Sequence, residues 1–197
     1  MIKKFKFIYI FLLLIFISKT AYSLEPNIFV QSTVNRASQI LSSDISKSGK
    51  IEKLKIIATD TVDIKGIGFY TLGKFRKKLN DAEKKEYTKL FREYFLKSFS
   101  SRLAEYTNPK IDVQSQEKLN DKYTIVSSVL VATDTRPEIK IQWRVFTKDP
   151  DRPLIRDLII EGLSLARTQK EEFSSIIQSN DGNIQSLFSS LKEFINN

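Results

Sequence analysis

Asp157 and Glu161 are the two carboxylates in this sequence best spaced to invite an acid–base reading. Four residues apart on a predicted strand, they would stand about 13 Å from each other. Glycoside hydrolysis uses carboxylates roughly 5 to 9.5 Å apart. They fit better as fold-stabilising partners of Arg144 and Lys140 on a neighbouring strand. The 197-residue chain has no histidine and no cysteine. That removes Ser-His-Asp catalysis, histidine metal ligation, thiolate chemistry and disulfides. No metal site and no organic cofactor is expected. An enzyme built on acids such as Asp134 or Asp157 remains as one function class. An adaptor that binds partner proteins through exposed helices is another. The remaining chemistry-bearing cluster is Lys74, Arg76, Lys77 and Lys78. It reads first as a solvated face, and second as a docking patch for an acidic partner or a membrane.

The first 23 residues have the layout of a secretory signal peptide. Lys3, Lys4 and Lys6 precede the apolar run Phe7 to Ile17, and Ala21-Tyr22-Ser23 offers small residues at the cleavage positions. The run is well short of the roughly 20 residues that span a bilayer. Cleavage after Ser23 without a retained anchor is therefore expected, leaving 24–197 as a single domain. The leader holds four lysines and no acid, so the rest of the chain carries 28 basic against 23 acidic residues. A net charge of +5, with the two signs mixed along the helices, is no argument for a nucleic-acid partner. Export without disulfides leaves the core to supply stability.

The spacing predicts helices in the first half. Ile28, Val34, Ala37, Ile40, Leu41 and Ile45 recur at helical intervals, with Ser48-Gly49 as the stop. A short helix follows over about Lys50 to Thr61, and Asp63 caps a third containing Ile64, Ile67, Leu72 and Phe75. Asn80 or Asp81 then caps the strongest helix, whose stripe is Tyr87, Leu90, Phe91, Tyr94, Phe95, Phe99 and Leu103, with Asn108-Pro109 as its stop.

After that the period changes to two. Strands are predicted at Lys110 to Glu117, Tyr123 to Thr133, Ile139 to Phe146 and Leu154 to Glu161, joined by short turns and hence antiparallel. Centring the last turn between Pro150 and Asp151 sets Arg144 opposite Asp157 and Lys140 opposite Glu161. Ile141 then faces Ile160, and Trp143 faces Leu158, on the other side of the sheet. Centring the previous turn on Thr135-Arg136 sets Leu130 beside Ile141. Leu163 to Gln178 and Ile184 to Ile195 make two closing helices, separated by Asn180-Asp181-Gly182. The fold class is α+β: a curved antiparallel sheet of about four strands with helices packed on one face.

Three segments add a resemblance. Phe69-Tyr70-Thr71-Leu72-Gly73-Lys74-Phe75-Arg76, with Phe91-Arg92-Glu93-Tyr94 on the following helix, is similar to the first half of the MlaC (toluene-tolerance) family. Gln142-Trp143-Arg144-Val145 resembles its central strand. Asp157-Leu158-Ile159-Ile160-Glu161-Gly162-Leu163-Ser164-Leu165, with Thr168-Gln169-Lys170 and Glu172-Phe173, resembles its most recognisable block. The resemblance covers roughly Ile28 to Ile195. Pro153 departs from it, standing where members often carry a tryptophan.

The resemblance implies a monomeric periplasmic carrier of glycerophospholipid. Its partners would be an outer-membrane lipoprotein (MlaA-like) and an inner-membrane ABC transporter complex (with an MlaD-like component). The ligand would be phospholipid, held in an apolar pocket between helices and sheet. About 30 methylenes at roughly 0.8 kcal/mol each put the exposed tails of a diacyl lipid about 24 kcal/mol uphill in water, so nearly all must be covered. Read by themselves, the apolar residues would be ordinary core. With the resemblance, Leu130, Ile141, Trp143, Leu158 and Ile160 become the sheet wall of the pocket. Leu72, Phe91, Phe95 and Phe99 become the helical wall, and Leu163 and Leu165 its rim. Gly73 and Gly162 read as backbone devices rather than lipid contacts.

Overall fold

The computed structural model describes residues 24–197. The predicted leader lies outside the described residues. Helix α1 (Pro26–Leu41) starts on a proline, whose fixed φ and missing N–H suit a first turn. It ends at Leu41, where the Ser43 hydroxyl donates to the Ile40 carbonyl at 2.7 Å. Ile45 is therefore not part of it. Nor is Ser48-Gly49 a stop: it lies in the first turn of α2 (Lys47–Thr61), where the Ser46 hydroxyl accepts from the Gly49 amide. Asp63 caps α3 (Ile64–Thr71), accepting from the Gly66 amide at 2.8 Å. A 3₁₀ turn, Gly73–Lys77, leads to α4 (Asp81–Leu103). There Asn80 and Glu83 bond reciprocally to each other's backbone amides, both at 2.9 Å. The helix stops at Leu103 rather than at Asn108-Pro109. Glu105, Tyr106 and Thr107 are exposed, so another turn would have no apolar face to bury.

The sheet is an antiparallel meander in the order β1-β2-β3-β4-β5. Its strands are β1 (Ile111–Asn120), β2 (Tyr123–Leu130), β3 (Ile139–Phe146), β4 (Leu154–Ile160) and β5 (Leu163–Ser164). The last is a two-residue strand added to the four expected. Its turn, Glu161-Gly162, has both residues at positive φ (48° and 83°), which a two-residue hairpin with the natural strand twist requires. The β3–β4 register is as predicted from Ile141 to Arg144, with Ile141 opposite Ile160, Trp143 opposite Leu158 and Arg144 opposite Asp157. Beyond Arg144 an irregularity shifts it by one residue, so that Val145 faces Ile155 and not Arg156. The β2–β3 register is not, since Leu130 sits opposite Ile139. Thr133 and Arg136 pair across the turn, which centres it on Asp134-Thr135 instead of one residue later. The shift preserves the facing of each side chain because the side-chain period is two.

The helices cover one face of the sheet. On β3, Ile141, Trp143 and Val145 are buried while Lys140 and Gln142 are exposed. The core joins these with Val126, Leu130 and Ile155 below, and with Val30, Leu72, Tyr87, Phe91, Phe173 and Phe188 above. Helix α5 (Leu165–Gln178) follows β5 directly and α6 (Ile184–Asn196) closes the chain.

Candidate functional site

Between α4, α5 and the β3–β4 hairpin the layers do not meet. The gap is a cavity of about 220 Å³. Its sheet side is Trp143, Ile155 and Leu158, and its α4 side is Phe91, Phe95 and Phe99. Val62 and Ile67 close one end, and Leu165 and Ala166 contribute from α5. Ser98, Arg102, Thr168, Gln169 and Glu172 add polar groups to the same lining.

Three local arrangements hold this gap. Phe95 and Phe99, one turn apart on α4, stack at 5.4 Å with rings 12° from parallel. The Trp143 Nε1–H is satisfied inside the sheet by the Ser128 hydroxyl at 2.8 Å, so the indole presents carbon to the cavity. Asp157 fixes the start of α5. Its carboxylate accepts from the Ser164 hydroxyl at 2.6 Å and from the Ala166 amide at 3.0 Å, with Arg144 Nη1 3.5 Å away. Negative charge at a helix N-terminus is favourable.

Tyr94 bridges α4 to α5 by donating to Gln169 Oε1 at 2.8 Å, and Gln169 Nε2 donates to Glu172 at 2.8 Å. Burial, and then the nearby Glu172 charge, raise the Tyr94 hydroxyl above the ordinary tyrosine value. It stays a neutral donor at any physiological pH.

Two of the three candidate catalytic carboxylates are engaged in structure. Asp157 caps α5, while Glu161 Oε1 accepts from the Lys140 amide at 2.5 Å. Asp134 is exposed in the β2–β3 turn. Among the described residues no cluster of acids could hold a metal ion.

The structure divides the predicted wall residues. Phe91, Phe95, Phe99, Trp143, Leu158 and Leu165 line the cavity. Leu72, Leu130 and Ile141 are buried in the continuous core, and Ile160 is half-buried on β4. Leu163 is 70% exposed on β5. Sequence reasoning did not place Val62, Ile155, Thr168 or Gln169 at the cavity. Thr168 and Gln169 fall three and four residues after Leu165, one turn along the same helix face, which is the signal that could have found them.

The MlaC protein family model matches residues 31–193. The chain belongs to the MlaC family. A solved member of this fold is the phospholipid-binding protein from Ralstonia solanacearum, determined in complex with a phospholipid. It superposes with a TM-score of 0.72 at 19% identity, over 86% of this chain and 96% of that one. At that identity the likeness is one of fold. Within this MlaC chain the motif residues seen in the sequence have separate tasks. Trp143 forms the floor of the cavity, Asp157 anchors α5, and the Leu163-Ser164-Leu165 segment turns from β5 into α5.

Proposed function

We propose that this chain is a phospholipid carrier, taking acyl chains into the gap between α4, α5 and the β3–β4 hairpin. The observation that carries this reading is an apolar cavity continuous with the core and edged by polar groups on α4 and α5. A carrier needs tail burial and no reacting group, in keeping with Asp157 and Glu161 being tied up in structure. The Ralstonia relative, crystallised with a phospholipid, supports the same reading.

At about 220 Å³ the cavity is smaller than the roughly 300 to 1,000 Å³ of pockets that enclose drug-sized ligands. Loading therefore requires α4 and α5 to part. The half-buried aromatics of α4 and the single Tyr94–Gln169 bond are what such a movement would break. In the finer reading, residues 1–23 are a signal peptide and 24–197 a single lipid-binding domain that works as a monomer in the periplasm. The chain would be the shuttle of an Mla-type system. It would exchange phospholipid with an MlaA-like lipoprotein at the outer membrane and an MlaD-like component of an inner-membrane ABC transporter.

Native mass spectrometry of the exported protein tests the proposal. Phospholipid should co-purify with the wild type and be lost from Leu158→Glu, because a buried unpaired carboxylate in the tail path is costly. The circular dichroism spectrum of Leu158→Glu should remain that of a folded chain. A wild type that emerges without lipid would favour an adaptor role, and lipid retained by Leu158→Glu would move the tail site elsewhere.

A further inference from the structure

Arg102 and Glu172 line the cavity and are at the same time exposed to solvent, which places them at its mouth. Arg102 stands on α4 one turn beyond Phe99, at the end of the row Phe91, Phe95, Phe99. Glu172 stands on α5, one turn beyond Thr168 and Gln169 of the same lining. One helix at the mouth therefore carries a cation and the other an anion.

The two charges do not neutralise each other directly. Among the described residues neither makes an ion pair. Glu172 accepts a hydrogen bond from Gln169 Nε2 at 2.8 Å, which leaves most of its acceptor capacity open. Both charges nevertheless act on one atom. After burial, which raises it most, the Tyr94 hydroxyl is raised by the Glu172 charge and lowered by the Arg102 charge. The third charged residue of the lining, Asp157, is already held by the Ser164 hydroxyl, the Ala166 amide and Arg144.

A guanidinium presents its donors in a planar fork that fits phosphate oxygens. A ligand with only negative charge would gain at Arg102 and be repelled at Glu172. A headgroup with both a phosphate and an ammonium gains at each, and an uncharged glyceride gains at neither. The order along the site also matches such a lipid. Hydrocarbon meets the three phenylalanines, the phosphate comes next at Arg102, and the ammonium reaches across the mouth to Glu172. A cation in the last turn of α4 is favourable in any case, but that role would be indifferent to the ligand.

We infer that Arg102 holds the lipid phosphate and Glu172 the headgroup ammonium, so that the mouth selects zwitterionic phospholipids. The inference rests on the carrier reading and names what that carrier prefers.

Uptake from mixed vesicles tests it. The exported protein is incubated with phosphatidylcholine vesicles containing equal parts of phosphatidylethanolamine, phosphatidylglycerol and diacylglycerol with identical acyl chains. It is then reisolated, and its bound lipids are measured by mass spectrometry. Arg102→Gln should lower the bound ratio of phosphatidylethanolamine to diacylglycerol about tenfold, the weight of a charged hydrogen bond. Glu172→Gln, which keeps an acceptor for Gln169, should leave that ratio alone. It should instead lower the ratio of phosphatidylethanolamine to phosphatidylglycerol about fivefold. Arg167→Gln and Glu171→Gln make the same charge changes outside the cavity lining and should select as the wild type does. Because the readout is a ratio among bound lipids, a variant that folds less well lowers the amount and not the preference.

The inference is overturned if Arg102→Gln leaves the first ratio unchanged, or if Arg167→Gln shifts it as far. It is also overturned if added inorganic phosphate shifts the wild-type ratio as Arg102→Gln does, which would make Arg102 a site for a free anion. A wild type that takes up no lipid ends the carrier reading, and this inference with it. A wild type that takes up lipid, with both ratios untouched by Arg102→Gln and Glu172→Gln, ends this inference alone.

Discussion

The two halves of α4 carry the same kinds of side chain and do different things with them. In the first half, Tyr87 and Phe91 are almost fully buried, with Phe188 of α6 stacked on Tyr87 at 5.9 Å, although Phe91 also contributes to the cavity lining. The Tyr87 hydroxyl lies 2.9 Å from that of Thr71 and 3.1 Å from the Gly68 carbonyl, and burial pushes its ionisation far above the usual range. In the second half, Phe95 and Phe99 are only half-buried and look into a cavity.

The difference lies in what stands opposite. Gly68 lets α3 close onto α4: a Cβ there would fall 2.7 Å from Phe91 Cδ1. One or two turns later the opposing helix is α5, held at its start by Asp157 and joined to α4 by the Tyr94–Gln169 bond. Aromatic residues make core where a neighbour can approach and cavity wall where it cannot.

That contrast can be broken at the packed end first. Phe188→Ala should cost about 4 kcal/mol in urea unfolding, since it empties a close-packed site. A cost of 1 kcal/mol would mean the packed half is looser than described. Gly68→Ala should cost about 2 kcal/mol by the same measurement, because Phe91 is enclosed by Tyr87 and Phe173 and has nowhere to turn.

At the open end the cost should fall while the effect on ligand rises. Phe99→Ala should lose only about 1 kcal/mol, as much of its ring already faces the gap. It should nevertheless change how much phospholipid the purified protein retains. Equal destabilisation by Phe99→Ala and Phe188→Ala would erase the distinction.

The smallest effect is expected at Tyr94. Its raised hydroxyl favours the neutral form in the folded state. Its stabilising contribution is therefore complete below the ordinary tyrosine value of 10.0 and is lost as pH rises through the folded value. Tyr94→Phe should flatten the fall in stability above about pH 10, apart from the share due to Tyr87. It should also speed lipid exchange by removing one bond between α4 and α5. An unchanged alkaline profile would mean that another group sets it.

Much of the fold was legible because several local signals agreed at each place. Asn80 or Asp81 marked the start of α4, and Asp63 the start of α3. Along β3 and β4, charges and bulky apolar groups alternate so that one register pairs like with like, and that register is observed from Ile141 to Arg144, where an irregularity ends it. Where signals were single they misled. Ser48-Gly49 looks like a helix stop, yet it is a first turn capped by Ser46. The apolar run around Leu130 tolerates more than one pairing, and the Thr133–Arg136 turn selected among them.

By itself the sequence determined the order and type of the main helices and the four long strands, the inward faces of α4 and the sheet, and the absence of histidine and cysteine chemistry. Those properties reside in periodicity, capping and composition, which are local. Only the tertiary structure decided which inward residues are core and which are wall, because a helical stripe encodes direction and says nothing of the distance to the opposing layer. It also turned Leu163 out to solvent. That outcome follows from two left-handed residues at a hairpin, Glu161 and Gly162, and from a buried carboxylate nine residues before Ala166 that holds α5 in place.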